Sequence, residues 1–110
     1  LSFLNAYTFQ DGARRAARQS RTPLDLIVLE ASSIVEIDFT AAQILIEFIE
    51  FCAQSKVRFA VARLESVRAG EAFEHLGITA AVHRDHFFRS VDEAIRVLAK
   101  KTNEFPEDKE

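Results

Sequence analysis

The chain has 110 residues, enough for one domain with one core and too few for two domains of ordinary size. An apolar fraction of 48% with ten Phe supplies a packed interior, and a net charge of −3 argues against a nucleic-acid-binding surface. One cysteine, Cys52, excludes an internal disulfide and is typical of a reducing compartment, and no apolar run approaches the ~18 residues of a membrane span.

The first part of the sequence predicts a strand, a helix and a buried strand. Residues 1–4 are typical of a short strand, and the Ala- and Arg-rich residues 5–20 favour a helix that Pro23 closes. Residues 24–29 are almost continuously apolar, which indicates a strand covered on both faces. The inward positions expected of this first helix are Tyr7, Phe9, Ala13 and Ala17.

The strongest predicted helix follows a loop rich in small polar residues at 30–39. Thr40 suits an N-cap, and Gln43 three residues later completes a capping box, so we expect a helix from Thr40 to about residue 55. Residues 57–62 then predict a second buried strand.

The next segment predicts a helix and a short strand. Ser66 is expected to cap a helix over residues 67–75, with Gly77 as its stop signal. Residues 78–82 favour a short strand.

A last helix and a tail complete the prediction. Ser90 and Glu93 form a second capping box at the start of this helix. Residues 100–110 are charged and contain Pro106, so we expect a disordered tail after a single domain at residues 1–99. The expected inward face of the helix consists of Val91, Ala94, Ile95 and Leu98.

The predicted elements alternate between strand and helix along the whole chain. Such alternation implies an α/β fold with a mostly parallel (mixed) sheet of about four to five strands, covered by about four helices. The sequence contains no internal repeat.

Residues 27–42, IVLEASSIVEIDFTAA, resemble the signature region of STAS domains, which occur as bacterial anti-sigma-factor antagonists and as C-terminal domains of SulP anion transporters. The shared pattern is a hydrophobic strand, a small-polar loop, an Asp, one variable residue, and Ser or Thr at a helix start. The corresponding loop and helix-start residues here are Ser32, Ser33, Asp38, Phe39 and Thr40.

The resemblance extends over roughly residues 1–98. The opening LSFLNA is similar to that of SulP versions, and Phe-Thr-Ala after Asp38 is closer to the transporter type than the Ser-Ser-Gly or Ser-Thr-Gly usual in free-standing antagonists. Further similarity lies in Ala62-Arg63-Leu64, in Leu76-Gly77 and in residues 88–94, FRSVDEA.

The resemblance implies a STAS fold and a non-catalytic, cofactor-free regulatory domain of a SulP-type sulfate or anion transporter, in the cytoplasm at the inner face of the cell membrane. Its expected partners are the transmembrane part of the same transporter or a cytoplasmic regulatory protein, with weak nucleotide binding as a further option. The start at Leu1 without Met favours this interpretation. The alternative is a free-standing anti-sigma-factor antagonist switched by phosphorylation at Thr40.

Two features of the helix that begins near Thr40 have open interpretations. Thr40 is either a phosphorylated switch or a structural cap, and Asp38 either adds repulsion beside a phosphate or holds the loop. The apolar arc of this helix is wider than a sheet requires, which predicts either an interaction face or burial under neighbouring helices. The surplus positions are Ile46, Ile49 and Phe51, whereas Ile44, Leu45, Phe48 and Cys52 are assigned to the sheet side.

Other constellations carry weaker signals. His83, Asp85 and His86 have the spacing of a metal site but lack a third firm ligand, so we expect a polar loop and no bound metal. Cys52 is expected to be an inert core thiol. On the predicted first helix, an arginine cluster could contact an anion, a nucleotide phosphate or lipid headgroups, or form an ordinary solvated face: Arg14, Arg15 and Arg18.

Overall fold

The computed structural model describes the backbone of residues 4–8, 15–16 and 25–104, and the side chains of residues 25–98. Its strands are β1 (Leu4–Thr8), β2 (Arg15–Ala16), β3 (Leu26–Glu30), β4 (Arg58–Ala62) and β5 (Phe87–Phe88). Its helices are α1 (Phe39–Gln54), α2 (Val67–His75), α3 (Ile78–Val82) and α4 (Val91–Glu104), and a short 3₁₀ helix, Arg84–His86, precedes β5.

In the described part of the chain, five strands form one mixed sheet in the order β2-β1-β3-β4-β5. Strands β3, β4 and β5 run parallel, whereas β1 pairs antiparallel with both β2 and β3. This arrangement, with the four α-helices of residues 25–104, confirms the predicted α/β class. The strands predicted at residues 24–29 and 57–62 are direct partners, and their register aligns Leu26 with Arg58.

The central strands β3 and β4 are buried on both faces because alternate side chains meet different helices. Ile27 and Leu29 of β3 join a cluster with residues of α1, α2 and α3, while Leu26 and Val28 join a second cluster with α4. Helices α1, α2 and α3 therefore cover one face of the sheet and α4 covers the other. The predicted inward residues of α4 all lie in or against the second cluster: Val91, Ala94, Ile95 and Leu98.

The helix predicted over residues 5–20 is wrong wherever the structure describes this segment, since residues 4–8 and 15–16 are strands β1 and β2. Ala and Arg favour a helix in isolation, but the edge of β3 offers backbone hydrogen bonds to an added strand, and β1 takes them. Asp11-Gly12, a dipeptide typical of hairpin turns, separates the two paired segments in sequence. It is the signal that the helix prediction overlooks.

The structure describes only some of the residues for which the sequence predicted a strand or an inward side chain near the N-terminus. The strand expected at residues 1–4 is found at Leu4, because residues 1–3 lie outside the described residues. Of the inward positions of the predicted helix, Tyr7 lies in β1. Outside the described residues lie Phe9, Ala13 and Ala17.

The predicted starts of α2 and α4 are confirmed by their caps. The Ser66 hydroxyl accepts from the amide of Ala69 at 3.1 Å, and Ser90 accepts from the amide of Glu93 at 3.0 Å. Helix α4 continues to Glu104, so the disordered tail predicted from residue 100 is wrong for residues 100–104. Residues 105–110 lie outside the described residues.

Residues 78–82 form helix α3 instead of the predicted short strand. Gly77 reverses the chain in the left-handed conformation, with φ at 91°, and α3 begins directly after it. Residues four apart lie on the same face of a helix, and Ile78 and Val82 are accordingly both buried. The third parallel strand is instead β5. None of the described helices is long and apolar enough to cross a bilayer.

The two described glycines should respond in opposite directions to the same substitution. Gly70 lies within α2 and a Cβ there meets nothing within 4 Å, so Gly70→Ala should stabilise the domain by about 0.5–1 kcal/mol. Gly77→Ala should destabilise it by about 1–2 kcal/mol, because φ at 91° strains any residue with a Cβ. Urea unfolding midpoints measure both effects. A stabilising Gly77→Ala would contradict the left-handed turn.

Candidate functional site

The candidate site begins where β3 ends, in the loop of residues 31–38. The amide of Ala31 donates to the carbonyl of Ala62 at 2.8 Å, which extends the β3–β4 pairing by one bond. The amide of Ile34 then donates to the Ala31 carbonyl at 3.1 Å and closes a turn. Ser32 and Ser33 lie in this turn and are exposed. The signature loop is therefore a surface feature at the carboxyl end of the parallel strands.

The loop lies against the start of α2. The Ser66 hydroxyl, which caps α2, is also 3.5 Å from the carbonyl of Val35 and donates to it. The guanidinium of Arg68 pairs with Glu36 at 3.2 Å, although both groups are exposed and such pairs contribute little free energy. The loops that follow β3 and β4 thus meet at one edge of the sheet.

Helix α1 is capped by Asp38 and not by Thr40 as the sequence predicted. The Asp38 carboxylate accepts from the amide of Ala41 at 2.8 Å, and its backbone is extended, with φ at −90° and ψ at 172°. Asp is among the strongest capping residues, and its negative charge is favourable at the positive end of the helix dipole. The capping box expected between Thr40 and Gln43 is wrong for the same reason.

Because Asp38 caps α1, the Thr40 hydroxyl has no capping role. Phe39 is the first residue of α1 and Thr40 the second, so the hydroxyl is not needed to begin the helix. Thr40 is exposed, as are its neighbours Asp38 and Phe39. An accessible hydroxyl therefore lies in the first turn of a helix, beside a carboxylate that performs the capping.

One exposed line of residues runs along α1 from Thr40. Thr40, Ile44, Glu47 and Phe51 are spaced by four, three and four residues, which places them on one side of a helix, and all four are exposed. We call this set the α1 stripe. Ile44 retains 59% and Phe51 62% of its accessible surface, which is unusual for large apolar side chains.

The predicted interaction face is corrected in part by this arrangement. Phe51 is exposed as expected, but Ile49 is buried with 4% exposure, in the same cluster as Leu45 and Cys52. Ile46 is half-buried, because the turn at Gly77 lies beside its side chain. Ile44, which the sequence assigned to the sheet side, faces outward instead.

Further exposed apolar residues were missed from the sequence. Val35 in the loop, Phe39 at the start of α1 and Val67 at the start of α2 are all well exposed. Their common feature is position at the carboxyl end of the parallel strands. Phe39 follows the Asp38 cap, Val67 follows the Ser66 cap, and the Val35 carbonyl accepts from the Ser66 hydroxyl. Sequence periodicity does not identify them, since Val35 lies outside any helix or strand.

The helical face predicted for the arginine cluster is wrong at Arg15, the one member that the structure describes. Arg15 lies in β2, paired with Thr8, and Arg14 and Arg18 lie outside the described residues. The predicted contact with an anion, a nucleotide phosphate or lipid headgroups assumed that these arginines lie on one side of a helix. The structure does not provide that helix at Arg15.

The two histidines of the candidate metal motif face different environments. His86 contacts the Phe59 carbonyl through Nδ1 at 3.0 Å, whereas His83 is exposed with Nδ1 3.7 Å from the Asp85 carboxylate. Their ring centroids are 6.3 Å apart. Among the described residues, no group of three His, Cys, Asp or Glu side chains is placed to hold a metal ion.

Cys52 lies in the core on the inner side of α1, with 2% of its surface exposed. Burial raises the pKa of its thiol, since a thiolate would lose hydration there. The residue is thus poorly suited to act as a nucleophile, as predicted.

A groove of about 560 Å³ lies between α2, α3 and the segment before β5. Two of its polar groups, the Arg84 guanidinium and the Glu74 carboxylate, pair directly with each other. Its apolar wall includes Leu64, Val67 and Phe87.

No protein-family model, no curated protein and no solved structure matches this chain.

The new position of the cap can be tested by two alanine substitutions. Asp38→Ala should cost about 1 kcal/mol of unfolding free energy, whereas Asp38→Asn keeps an acceptor and should cost much less. Thr40→Ala should change stability by no more than about 0.5 kcal/mol, because the side chain is exposed and is not the cap. Chemical denaturation monitored by circular dichroism measures all three. A larger loss for Thr40→Ala than for Asp38→Ala would restore Thr40 as the cap.

The orientation of α1 predicts opposite results at neighbouring apolar positions. Ile49→Ala should destabilise the domain by about 2–5 kcal/mol, since it removes a buried side chain. Phe51→Ala should change stability by no more than about 0.5 kcal/mol, although it deletes the larger side chain. The same denaturation measurement compares them, and similar losses at both positions would show that α1 is rotated from the orientation described.

Proposed function

We propose that this chain is a non-catalytic, STAS-like protein-interaction domain that regulates a SulP-type anion transporter through the α1 stripe. The observation that carries the proposal is the position of Thr40. The residue that matches the family's switch position is exposed and lies in line with two exposed apolar side chains, Ile44 and Phe51. A partner bound to those side chains would contact the Thr40 hydroxyl.

The apolar residues support a docking role on energetic grounds. Single exposed apolar side chains are common on protein surfaces, but grouped ones mark interaction sites. Ile44 and Phe51 are two helical turns apart on one side of α1, at a rise of about 10 Å. Burying both against a partner would add roughly 1.5–3 kcal/mol each to association, before its entropic cost.

The chemistry at Thr40 supports a switch. A phosphate there would bring close to two negative charges to the first turn of α1, where backbone amides and the helix dipole favour an anion. Asp38 already accepts from the Ala41 amide, so the helix start does not depend on the modification. The added charge would therefore act on the docking surface more than on folding.

A regulatory role suits the described side chains better than catalysis. Cys52 is buried with a raised pKa, and His86 is directed to a backbone carbonyl. The proposed setting is the cytoplasmic face of the cell membrane, with the transporter's transmembrane part or a regulatory protein as partner. That setting rests on the resemblance of residues 27–42 and of the LSFLNA opening to SulP versions.

The exposed hydroxyl of Thr40 also favours a second candidate, a free-standing antagonist of an anti-sigma factor. In that family, phosphorylation of the matching hydroxyl breaks the complex with the partner kinase. Phe39 and Ala41 occupy positions where antagonists usually have Ser and Gly. We therefore place this function second.

The test compares Thr40→Ser with Thr40→Asp in the transporter that the proposal requires. Both substitutions leave the Asp38 cap in place, so both should fold with similar stability. We expect transport by the Thr40→Asp form to differ by about fivefold or more from that of the Thr40→Ser form, which keeps the hydroxyl. Phe51→Ser should also alter regulation while leaving the unfolding midpoint nearly unchanged.

Equal transport by the Ser and Asp forms, together with no effect of Phe51→Ser, would contradict the proposed function. If Thr40→Asp instead abolishes binding to an anti-sigma-factor kinase, the antagonist function replaces it.

A further inference from the structure

The charges around the α1 stripe have one sign. Glu47 lies within the stripe, Glu50 precedes Phe51, and Asp38 caps the helix, and all three carboxylates are exposed. Residues 39–54 contain neither Lys nor Arg. The outer side of α1 is therefore an apolar ridge with acidic groups along it.

Two described basic residues lie in segments next to α1, and neither is paired with a carboxylate of the stripe in the ion pairs of the described side chains. Arg68 pairs with Glu36 at 3.2 Å, on the side of the loop next to α2. Lys56 follows the end of α1, beyond the C-cap at Ser55, and is exposed. Glu47 thus stands between Ile44 and Phe51 without a basic residue on its own helix.

This charge pattern disfavours two simple occupants of the stripe. A second copy of the chain, docked through the same surface, would bring the carboxylates of the two copies close together, and like charges at an interface are unfavourable. An anionic lipid surface would be repelled in the same way. The complementary surface is apolar with positive charges at its margins.

We propose that the α1 stripe binds an amphipathic protein segment whose apolar side chains are flanked by Lys or Arg. This inference rests on the proposed function, since it assumes that the stripe is a docking surface, and it adds the chemistry of the partner. Apolar residues of the segment would cover Ile44 and Phe51, and its cationic groups would lie near Glu47, Glu50 and Asp38. An amphipathic helix packed lengthwise against α1 is the form that matches an exposed helical ridge.

The same chemistry sets the direction of a switch at Thr40. Thr40 and Glu47 lie on the same side of α1, so a negative charge at Thr40 adds to a field that already attracts cations. Phosphorylation would then strengthen binding of a basic segment. This direction is opposite to that of an antagonist, whose complex phosphorylation breaks.

The experiment uses the full chain and two synthetic helical peptides of 16 residues, the length of α1. One peptide carries Leu along one side with Lys at both margins of that apolar side, and the second carries Glu in place of Lys. Isothermal titration calorimetry at low and high NaCl concentration measures both. We expect the Lys peptide to bind at least about tenfold more tightly than the Glu peptide, and its affinity to fall as salt screens the charges.

Matched variants locate this binding. Glu47→Gln should weaken the Lys peptide about two- to fivefold. Asp92→Asn removes the same charge from α4, on the opposite face of the sheet, and should leave the affinity unchanged. Phe51→Ser should weaken binding further than Glu47→Gln, and Thr40→Asp should strengthen it about two- to fivefold relative to Thr40→Ser.

Several results would overturn the inference. They are no binding of the Lys peptide, equal affinity for both peptides, or equal losses from Glu47→Gln and Asp92→Asn. If the chain forms a dimer and Phe51→Ser dissociates it, the stripe binds a second copy. If the chain binds anionic vesicles and Phe51→Ser abolishes that binding, the stripe binds lipid. If any of these results is found while Thr40→Asp and Thr40→Ser still differ in transport, the proposed function stands and the partner's chemistry is wrong.

Discussion

The parallel pairing of β3 with β4 is the constraint on which the rest of the structure depends. Most side chains on both faces of this pair are buried, so each face needs a helical layer. Helix α1 covers one face together with α2 and α3, and α4 covers the other. Arg58, the first residue of β4, joins the sheet to α4, because its Nη1 donates to the Leu98 carbonyl at 2.7 Å. Desolvation lowers the pKa of Arg58, although the nearby Asp25 carboxylate opposes that shift. The fully buried residues of the pair are Leu26, Val28, Leu29, Ala60, Val61 and Ala62.

The same pairing determines where the candidate site lies. Parallel strands end at the same edge of a sheet, so the loops after β3 and β4 are neighbours, and the caps of α1 and α2 arise from those loops. At this edge Arg63 adopts a positive φ of 62°. Its guanidinium lies 3.5 Å from the carboxylate of Glu30 through Nη1 and 3.5 Å from that of Glu65 through Nε. The exposed side chains of Val35, Phe39 and Val67 come from three different segments, yet the fold brings their segments to one edge.

The sequence predicts those parts of the fold that local chemistry determines. Continuous apolar runs identify β3 and β4, and serine caps identify the starts of α2 and α4, because each signal lies within a few neighbouring residues. Strand β1 depends on a partner distant in sequence, so the helix propensity of its surroundings misleads. A helical wheel likewise gives the width of the apolar arc of α1 but not which neighbours cover it. The turn at Gly77 covers Ile46 and leaves Ile44 exposed, and only the tertiary arrangement decides between them.

The position of the cap is the point at which fold and proposed function meet. Two residues near the start of α1 can accept a hydrogen bond from the first turn, and the capping-box pattern of Thr40 with Gln43 favours Thr40, whereas the structure places the cap at Asp38. If Thr40 were the cap, its modification would remove the bond that begins the helix, and any change in binding would be mixed with a change in stability. With Asp38 as the cap, the helix start is independent of the hydroxyl. A charge at Thr40 then alters the electrostatic field along Ile44, Glu47 and Phe51 while the helix beneath them keeps its structure, as a reversible regulatory surface requires.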